Sequence, residues 1–369
     1  MPIFKSGLFK KAISSGRRFV DLVEILGILW SKERRYTTQL SLLKRLRAWR
    51  LGFFSDTYVQ YFADGDDRNH KLYLSDFSRW YYIPWVNAKY GILLSDKFLF
   101  YRYFEKFKDR IPEIYFLISS GKLHNTDLIE VDTFELIKQI KCNSQVILKP
   151  RIGFGGRGIL KASYKDDYLI INDAIHSPES FVEFVLQLEN YIVCSFVDQK
   201  GYANEIYPFS VNTLRVLTVI DPVSNQARIA GIAHRFGSKT TGNVDNWTGG
   251  GLSAAVDISS GRIGNCARNP KGMKLEWIES HPDTGTEITG RLIPNWDNLI
   301  TEILQMATFC KFCTYIGWDV AVSENEFWIL EANDSPDVHI LQIHEPLFKD
   351  PQNQSFFKYH FNRLDVSFH

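Results

Sequence analysis

Three observations predict an α+β fold for this chain of 369 residues. From Gln145 onward the sequence breaks into short β-rich runs separated by Gly, Asn and Asp clusters. Two stretches with helical spacing, 179–188 and 297–316, interrupt those runs. A composition of 45% hydrophobic and 14% aromatic residues supplies enough apolar surface for a sizeable core. Strand runs interleaved with a few helices favour α+β packing over a doubly wound parallel sheet.

The expected strands are 145–150, 158–161, 191–197, 212–221, 227–237, 251–258, 317–323 and 327–333. The second helix is entered through Pro294 and Asp297 and left at Gly317. Residues 53–95 are aromatic without a clear period, so no element is assigned there. Overall charge is balanced, with 43 Lys or Arg against 42 Asp or Glu, which excludes a nucleic-acid binder that relies on global positive charge. Five cysteines, an odd number, argue against a disulfide framework and point to the cytoplasm. No apolar run reaches the ~20 residues of a spanning helix. The nearest, Phe19 to Trp30, is broken by Asp21 and Glu24 and lacks a cleavage site, despite the basic flank of Lys10, Lys11, Arg17 and Arg18.

Residues 1–50 hold 12 Lys or Arg and 3 Asp or Glu, a net +9, whereas the remainder carries −8. Within this basic region Leu40, Leu43, Leu46 and Trp49 recur at helical spacing, with Lys44, Arg45, Arg47 and Arg50 between them. Such a helix either contacts an anionic membrane face or lipid-linked substrate, or packs on the body with its charges solvated; the pattern favours the packed arrangement.

Lys149 ends the strand 145–150, and a loop with Gly153, Gly155, Gly156, Arg157 and Gly158 follows. The G-x-G-x-x-G spacing leads into a further strand where a dinucleotide fold would need a helix, so a Rossmann reading fails. A strand, glycine loop and strand instead form a flap whose N–H groups can close over phosphates, with Lys149 and Arg157 adding charge. A glycine-rich hairpin without a ligand is the plainer alternative.

Near the C-terminus, 317–322 and 327–333 read as a hairpin centred on Asn325. That centre sets Asp319 opposite Glu331, with Asn333 two residues along on the same face. Facing carboxylates in apolar strands need a cation, and Mg²⁺ takes such oxygen ligands. A one-residue slip would turn Asp319 to the wrong face. A second hairpin centred on Ser224 sets Arg215 and Arg235 diagonally on one face, where they require anions: a phosphoryl group, a substrate carboxylate, or internal acids. The connection 237–251, with Asp245, Asn246, Gly249, Gly250 and Gly251, has the length and polarity of a substrate loop. Cys310 and Cys313 read as buried thiols, and His281 to Gly285 as a turn. Neither a G-x-S-x-G elbow nor a protein-kinase catalytic loop is present.

Together, Val146-Ile147-Leu148-Lys149-Pro150 with its flap, Asn212-Thr213-Leu214-Arg215, and Asp319 followed by Leu330-Glu331-Ala332-Asn333 resemble the ATP-grasp superfamily. Asp245-Asn246-Trp247 with Gly249-Gly250-Gly251, His281 to Gly285, Ile293-Pro294-Asn295-Trp296 and Gly317-Trp318-Asp319 are similar to its sugar-transfer-associated, α-L-glutamate ligase-related group. The resemblance covers roughly residues 90–345. It implies an ATP-grasp fold of two α+β subdomains, 91–200 and 201–345, enclosing the nucleotide, preceded by a largely helical basic region 1–90 and followed by a tail, 346–369. It implies ATP and Mg²⁺ as cofactors, Lys97 and Lys149 on phosphates, and Asp319, Glu331 and Asn333 on the metal. An adenine hinge is implied at Cys194, Ser195, Phe196 and Val197, with Asp198 and Gln199 as ribose candidates. Arg215 and Arg235 are implied as catalytic groups, and Asn212 joins Asp245, Asn246 and the three glycines on the substrate. The implied activity is ligation of a carboxylate to an amine through an acyl phosphate, with a uronic acid and an amino acid as substrates in surface polysaccharide synthesis, in the cytoplasm or at the inner membrane face. A small-molecule kinase and a non-catalytic nucleotide-binding module are the alternatives.

Overall fold

The computed structural model describes Gly27, Ser31, Glu33 and residues 40–364, except 64, 154 and 270–273. The Phe19 to Trp30 stretch and its basic flank lie outside the described residues, apart from Gly27. No helix among the described residues is long and apolar enough to cross a membrane.

Two antiparallel sheets dominate the fold. The first contains β1 (Ile114–Ser119), β2 (Lys122–His124), β3 (Glu130–Val131), β4 (Gln145–Pro150), β5 (Leu160–Lys165), β6 (Tyr168–Ile171), β7 (Ala174–His176) and β8 (Tyr191–Ser195). Their spatial order is β3-β2-β1-β8-β4-β5-β6-β7. The second contains β9 (Thr213–Ile220), β10 (Ala227–Phe236), β11 (Leu252–Val256), β12 (Ile263–Arg268), β13 (Glu276–Ile278), β14 (Tyr315–Val322) and β15 (Phe327–Asn333), in the order β13-β12-β11-β10-β9-β14-β15. Every residue of β9 and β14 is buried, as expected for central strands covered on both faces.

Alternation along these strands separates two environments. Leu214, Val216, Trp318, Val320 and Ile329 face the helix Trp296–Phe309 through its Leu299, Ile303 and Met306. Leu217, Val219, Ala233, Ala267 and Tyr315 face the other way, under Leu74, Ile83 and the C-terminal helix Pro351–Arg363. Arg215 and Asp319 are in phase with this second set. On the first sheet, helices Thr133–Asn143 and Pro178–Leu186 bury Leu136, Ile140, Phe181 and Val185 against Val146, Leu148 and Ala162.

Three expectations change. The strand expected at 158–161 begins at Leu160, because Gly158 sits at a φ of 74° in the turn before it. The helix expected to run to residue 316 ends at Phe309, and Tyr315 and Ile316 already pair with β9. Continuous apolar sequence does not distinguish a buried helix from a central strand. Residues 53–95 form short helices, Ser55–Tyr61, Asp76–Tyr81, Pro84–Asn87 and Ile92–Ser95, too brief to show a period.

Candidate functional site

Strand β14 lies between β9 and β15, so Asp319 has two direct neighbours: Arg215 on one side and Glu331 on the other. The register opposite Glu331 arises through a bulge. Near the turn, Val320 pairs with Ile329 and Val322 with Phe327, one residue short of a hairpin centred on Asn325. Leu330 is the extra residue, and it restores the pairing of Asp319 with Glu331 and of Gly317 with Asn333. Without that bulge Glu331 would face the Trp296–Phe309 helix. The freed carbonyl of Leu330 accepts from Lys149 Nζ at 3.4 Å. A matching irregularity in β10, between Ile229 and Gly231, precedes the register Ala233–Arg215 that sets Arg235 beside the same row.

The row is an almost dry charge network. Arg215 donates through Nε to Asp319 Oδ1 at 2.6 Å and through Nη2 to Oδ2 at 3.1 Å. Arg235 Nη2 reaches Asp319 Oδ2 at 3.0 Å, and its Nε lies 3.4 Å from Asp245 Oδ2. The four side chains are between 6% and 13% exposed. Burial alone would raise the Asp319 carboxyl, but Arg215 and Arg235 outweigh it and hold it at about 2. Glu331 behaves oppositely: burial, then the neighbouring charge of Asp319, push its carboxyl up. Lys97 Nζ stands 3.4 Å from Glu331, and burial lowers that ammonium against the pull of Glu331. In this structure the two arginines find their anions in internal acids, Asp319 and Asp245.

Lys97 opens the helix Lys97–Tyr103, whose cap Asp96 accepts from the N–H groups of Phe98 and Leu99. Asp96 also pairs with Arg151 at 2.7 Å, which ties this helix to the start of the flap. Lys97 Nζ donates to Gly153 O at 3.3 Å. Between the sheets a small pocket is walled by Ile114, Ile192 and Cys194 of the first sheet and Leu330 of the second, with Lys97 and Lys149 in its lining. Burial pushes the Cys194 thiol up, so this residue lines the pocket as an uncharged surface. Phe196 lies under Lys161 Nζ, 5.1 Å from the ring centre. Ser195 ends β8 and Val197 is buried just beyond it.

The flap leans on the loop 237–251. Gly156, at a φ of 74°, leaves no room for a Cβ, which would stand 2.6 Å from Val244 Cγ1. Asn246 Nδ2 reaches Gly155 O at 3.4 Å, while its Oδ1 accepts from Thr248. Arg157 is exposed. Asp245 Oδ2 accepts from the Thr213 N–H at 2.9 Å and hydroxyl at 2.5 Å. Gly249 and Gly251 close the loop by donating to Asn246 O, and Gly250 N donates to Trp247 O.

Two expected ligand residues serve the fold instead. Gln199 is buried, donating to Asn212 O and Val322 O and accepting from Asn212 N, so both of its amide hydrogens are used within the fold. Asn212 is fully buried: its Nδ2 donates to Ala203 O and Tyr207 O, and its Oδ1 accepts from Ser210 and Gly237. Asp198 is exposed and paired with Lys200 at 3.2 Å. Cys310 and Cys313 are buried free thiols, and His281 sits in a closed turn with Gly285 N donating to His281 O. The sequence reading missed Thr213, whose hydroxyl joins Arg235 to Asp245, and Asp96 with Arg151; adjacency to Asn212, Lys97 and Pro150 was the available signal.

The donor set fits a hard divalent cation. Two facing carboxylates, one resisting ionisation because of its burial and then because of the other's charge, leave a conflict of like charges that a cation between them would ease. Asn333, on the same face of β15, adds an amide; its Nδ2 lies 3.5 Å from Gly317 O. Among the described residues no group of three or more His, Cys, Asp or Glu is arranged to hold a metal.

Solved structures similar to the chain include an ADP complex of N5-carboxyaminoimidazole ribonucleotide synthetase, 10% identical, with 68% of this chain and 48% of that chain covered and a TM-score of 0.38. A Chryseobacterium gregarium RiPP-associated ATP-grasp ligase in complex with ADP and a leader and core peptide is 14% identical, covering 74% and 61%, with a TM-score of 0.40. Bacillus anthracis D-alanine–D-alanine ligase complexed with ATP is 10% identical, covering 74% and 68%, with a TM-score of 0.39. The chain spans less than two thirds of the first two. No curated protein sequence matches it. The family described as sugar-transfer associated ATP-grasp matches residues 77–354, about three quarters of the chain, and the protein belongs to that family.

Proposed function

We propose that the protein is an ATP-dependent carboxylate–amine ligase, with 91–200 and 201–345 as the two halves that enclose the nucleotide. The carrying observation is the facing pair Asp319 and Glu331, set beside Lys97 and Lys149 in a member of an ATP-grasp family. Asp319, Glu331 and Asn333 would hold Mg²⁺, which when bound neutralises phosphate charge. Lys97 and Lys149 add positive charge at the phosphates, and the flap 153–158 offers backbone N–H groups to them. Ile192 and Cys194 give the base an apolar wall. Arg215 and Arg235 keep Asp319 ionised and counter the charge that accumulates on the transferring phosphoryl group.

In the reaction, a carboxylate oxygen attacks the γ-phosphorus and the bond to the β-phosphate oxygen breaks, giving an acyl phosphate and ADP. An amine then attacks the acyl carbon; phosphate leaves with its bonding pair, and the amine releases a proton as the amide forms. The protein's contribution is positioning and charge, and no side-chain nucleophile is required. We read the carboxylate as a sugar acid, in keeping with the family's association with sugar transfer, and the amine as an amino acid, with surface polysaccharide synthesis in the cytoplasm as the setting. Asp245, Asn246 and Gly249 to Gly251 would form the substrate loop.

Incubation with ATP, Mg²⁺, pooled uronic-acid sugars and amino acids tests this, reading nucleotide products by mass spectrometry and trapping the acyl phosphate with hydroxylamine. ADP, phosphate and a hydroxamate are expected. AMP, or a stable phosphorylated sugar without an amide, would contradict the reading.

A further inference from the structure

Helix Leu42–Arg50 has two unlike sides. Ala48 has no exposed surface and joins Phe53, Tyr58 and Phe62 in a small core, with Leu40 and Leu51 packed against it. On the same side Trp49 Nε1 donates to Glu33 at 3.1 Å and Arg45 binds Glu33 through Nε and Nη2. At 100° per residue, Leu42, Leu43 and Leu46 fall within one arc away from Ala48. They are 67%, 79% and 48% exposed. Arg50 falls within the leucine arc and Arg47 about 40° beyond its edge; both are exposed, and Arg47 keeps 63% of its side-chain exposure while paired with Asp67. The packed arrangement favoured by the sequence pattern therefore holds for Ala48 and Trp49, while the leucines point outward.

We propose that this face docks on an anionic lipid bilayer surface. Three leucines in one arc supply the apolar insertion, and long basic side chains at its edge reach phosphate headgroups while their stems stay beside the acyl boundary. The net +9 of residues 1–50 complements an anionic leaflet and opposes pairing of this face with a second copy of itself. The inference stands independently of the ligase reading.

Sedimentation of the full chain with vesicles of phosphatidylcholine and phosphatidylglycerol, and with vesicles of phosphatidylcholine alone, tests it. The wild type should sediment with the anionic vesicles and be released by salt. The variant Leu42→Ser/Leu43→Ser/Leu46→Ser, unchanged in circular dichroism, should partition at least ~10-fold less. Arg50→Glu, within the leucine arc, should weaken binding as well, and decides the matter if the leucine variant misfolds. Equal sedimentation of wild type and variants, equal binding to the neutral vesicles, no sedimentation of the wild type, or a leucine-dependent dimer without lipid binding would each overturn the proposal.

Discussion

Replacing Asp319 by Asn removes one charge from a nearly dry network and should destabilise the free protein before any ligand is considered. The carboxylate accepts a two-pronged contact from Arg215 at 2.6 and 3.1 Å and a third from Arg235 at 3.0 Å. After substitution two guanidiniums would share Asp245, 3.4 Å from Arg235, and Glu331, which would ionise more readily once the like charge beside it is gone. Breaking a buried pair from one side costs about 3–5 kcal/mol, and partial compensation by Glu331 places this case near the lower end. At about 2 °C per kcal/mol for a chain longer than 250 residues, the melting temperature should fall by roughly 6 °C. Urea unfolding of wild type, Asp319→Asn, Arg215→Met and the double variant, without nucleotide or metal, measures the coupling. The double variant should be more stable than the sum of the single losses allows, by at least about 1 kcal/mol. Simple additivity, or an Asp319→Asn protein as stable as wild type, would refute the reasoning.

Asn212→Ala should lower stability by roughly 2–4 kcal/mol, because it strands buried partners at Ala203, Tyr207, Ser210 and Gly237; a change in substrate KM with unaltered urea unfolding would contradict that structural role. Acid should weaken the fold below neutrality. Burial lowers His234 to about 3 and His360 to about 4 from the ordinary 6.5, so the unfolded chain takes up protons first. The stability these neutral rings contribute is full above 6.5 and is lost as pH falls toward those folded values. Each should cost about 2 kcal/mol between pH 7 and pH 5, and His234→Gln should remove roughly half of their joint slope in urea melts across that range. Lys149→Met, losing the contact to the Leu330 carbonyl, should weaken ATP binding by roughly tenfold in titration calorimetry, as expected for one lost charge-assisted contact; unchanged affinity would remove Lys149 from the phosphate site.

The sheet carrying the acids was legible in the sequence because its strands are long, apolar and bounded by turn residues. Asp319 opposite Glu331 follows from a hairpin count centred on Asn325, yet the chain reaches that register by a shorter turn and a bulge at Leu330, which no residue pattern announces. Arg215 and Arg235 were recognisable as a pair needing anions, but their internal partners depend on β14 inserting beside β9, a long-range pairing invisible to local periodicity. Gln199 and Asn212 show the same limit: polar residues in a motif look ligand-facing until the backbone groups that occupy them are in place. The short helices between 53 and 95 are tied to residues late in the chain, Tyr61 to His339 and Asn87 to the Tyr315 carbonyl, with Leu94 in the core that holds Trp318, so their own sequence carries little signal.

Titration of ATP into wild type and Glu331→Gln, each with Mg²⁺ and with a chelator, tests the metal-holding carboxylate pair most directly. Wild type should bind more tightly with Mg²⁺, and Glu331→Gln should lose at least roughly tenfold of that gain while matching wild type in chelator. A variant that keeps the full Mg²⁺-dependent gain would contradict the account.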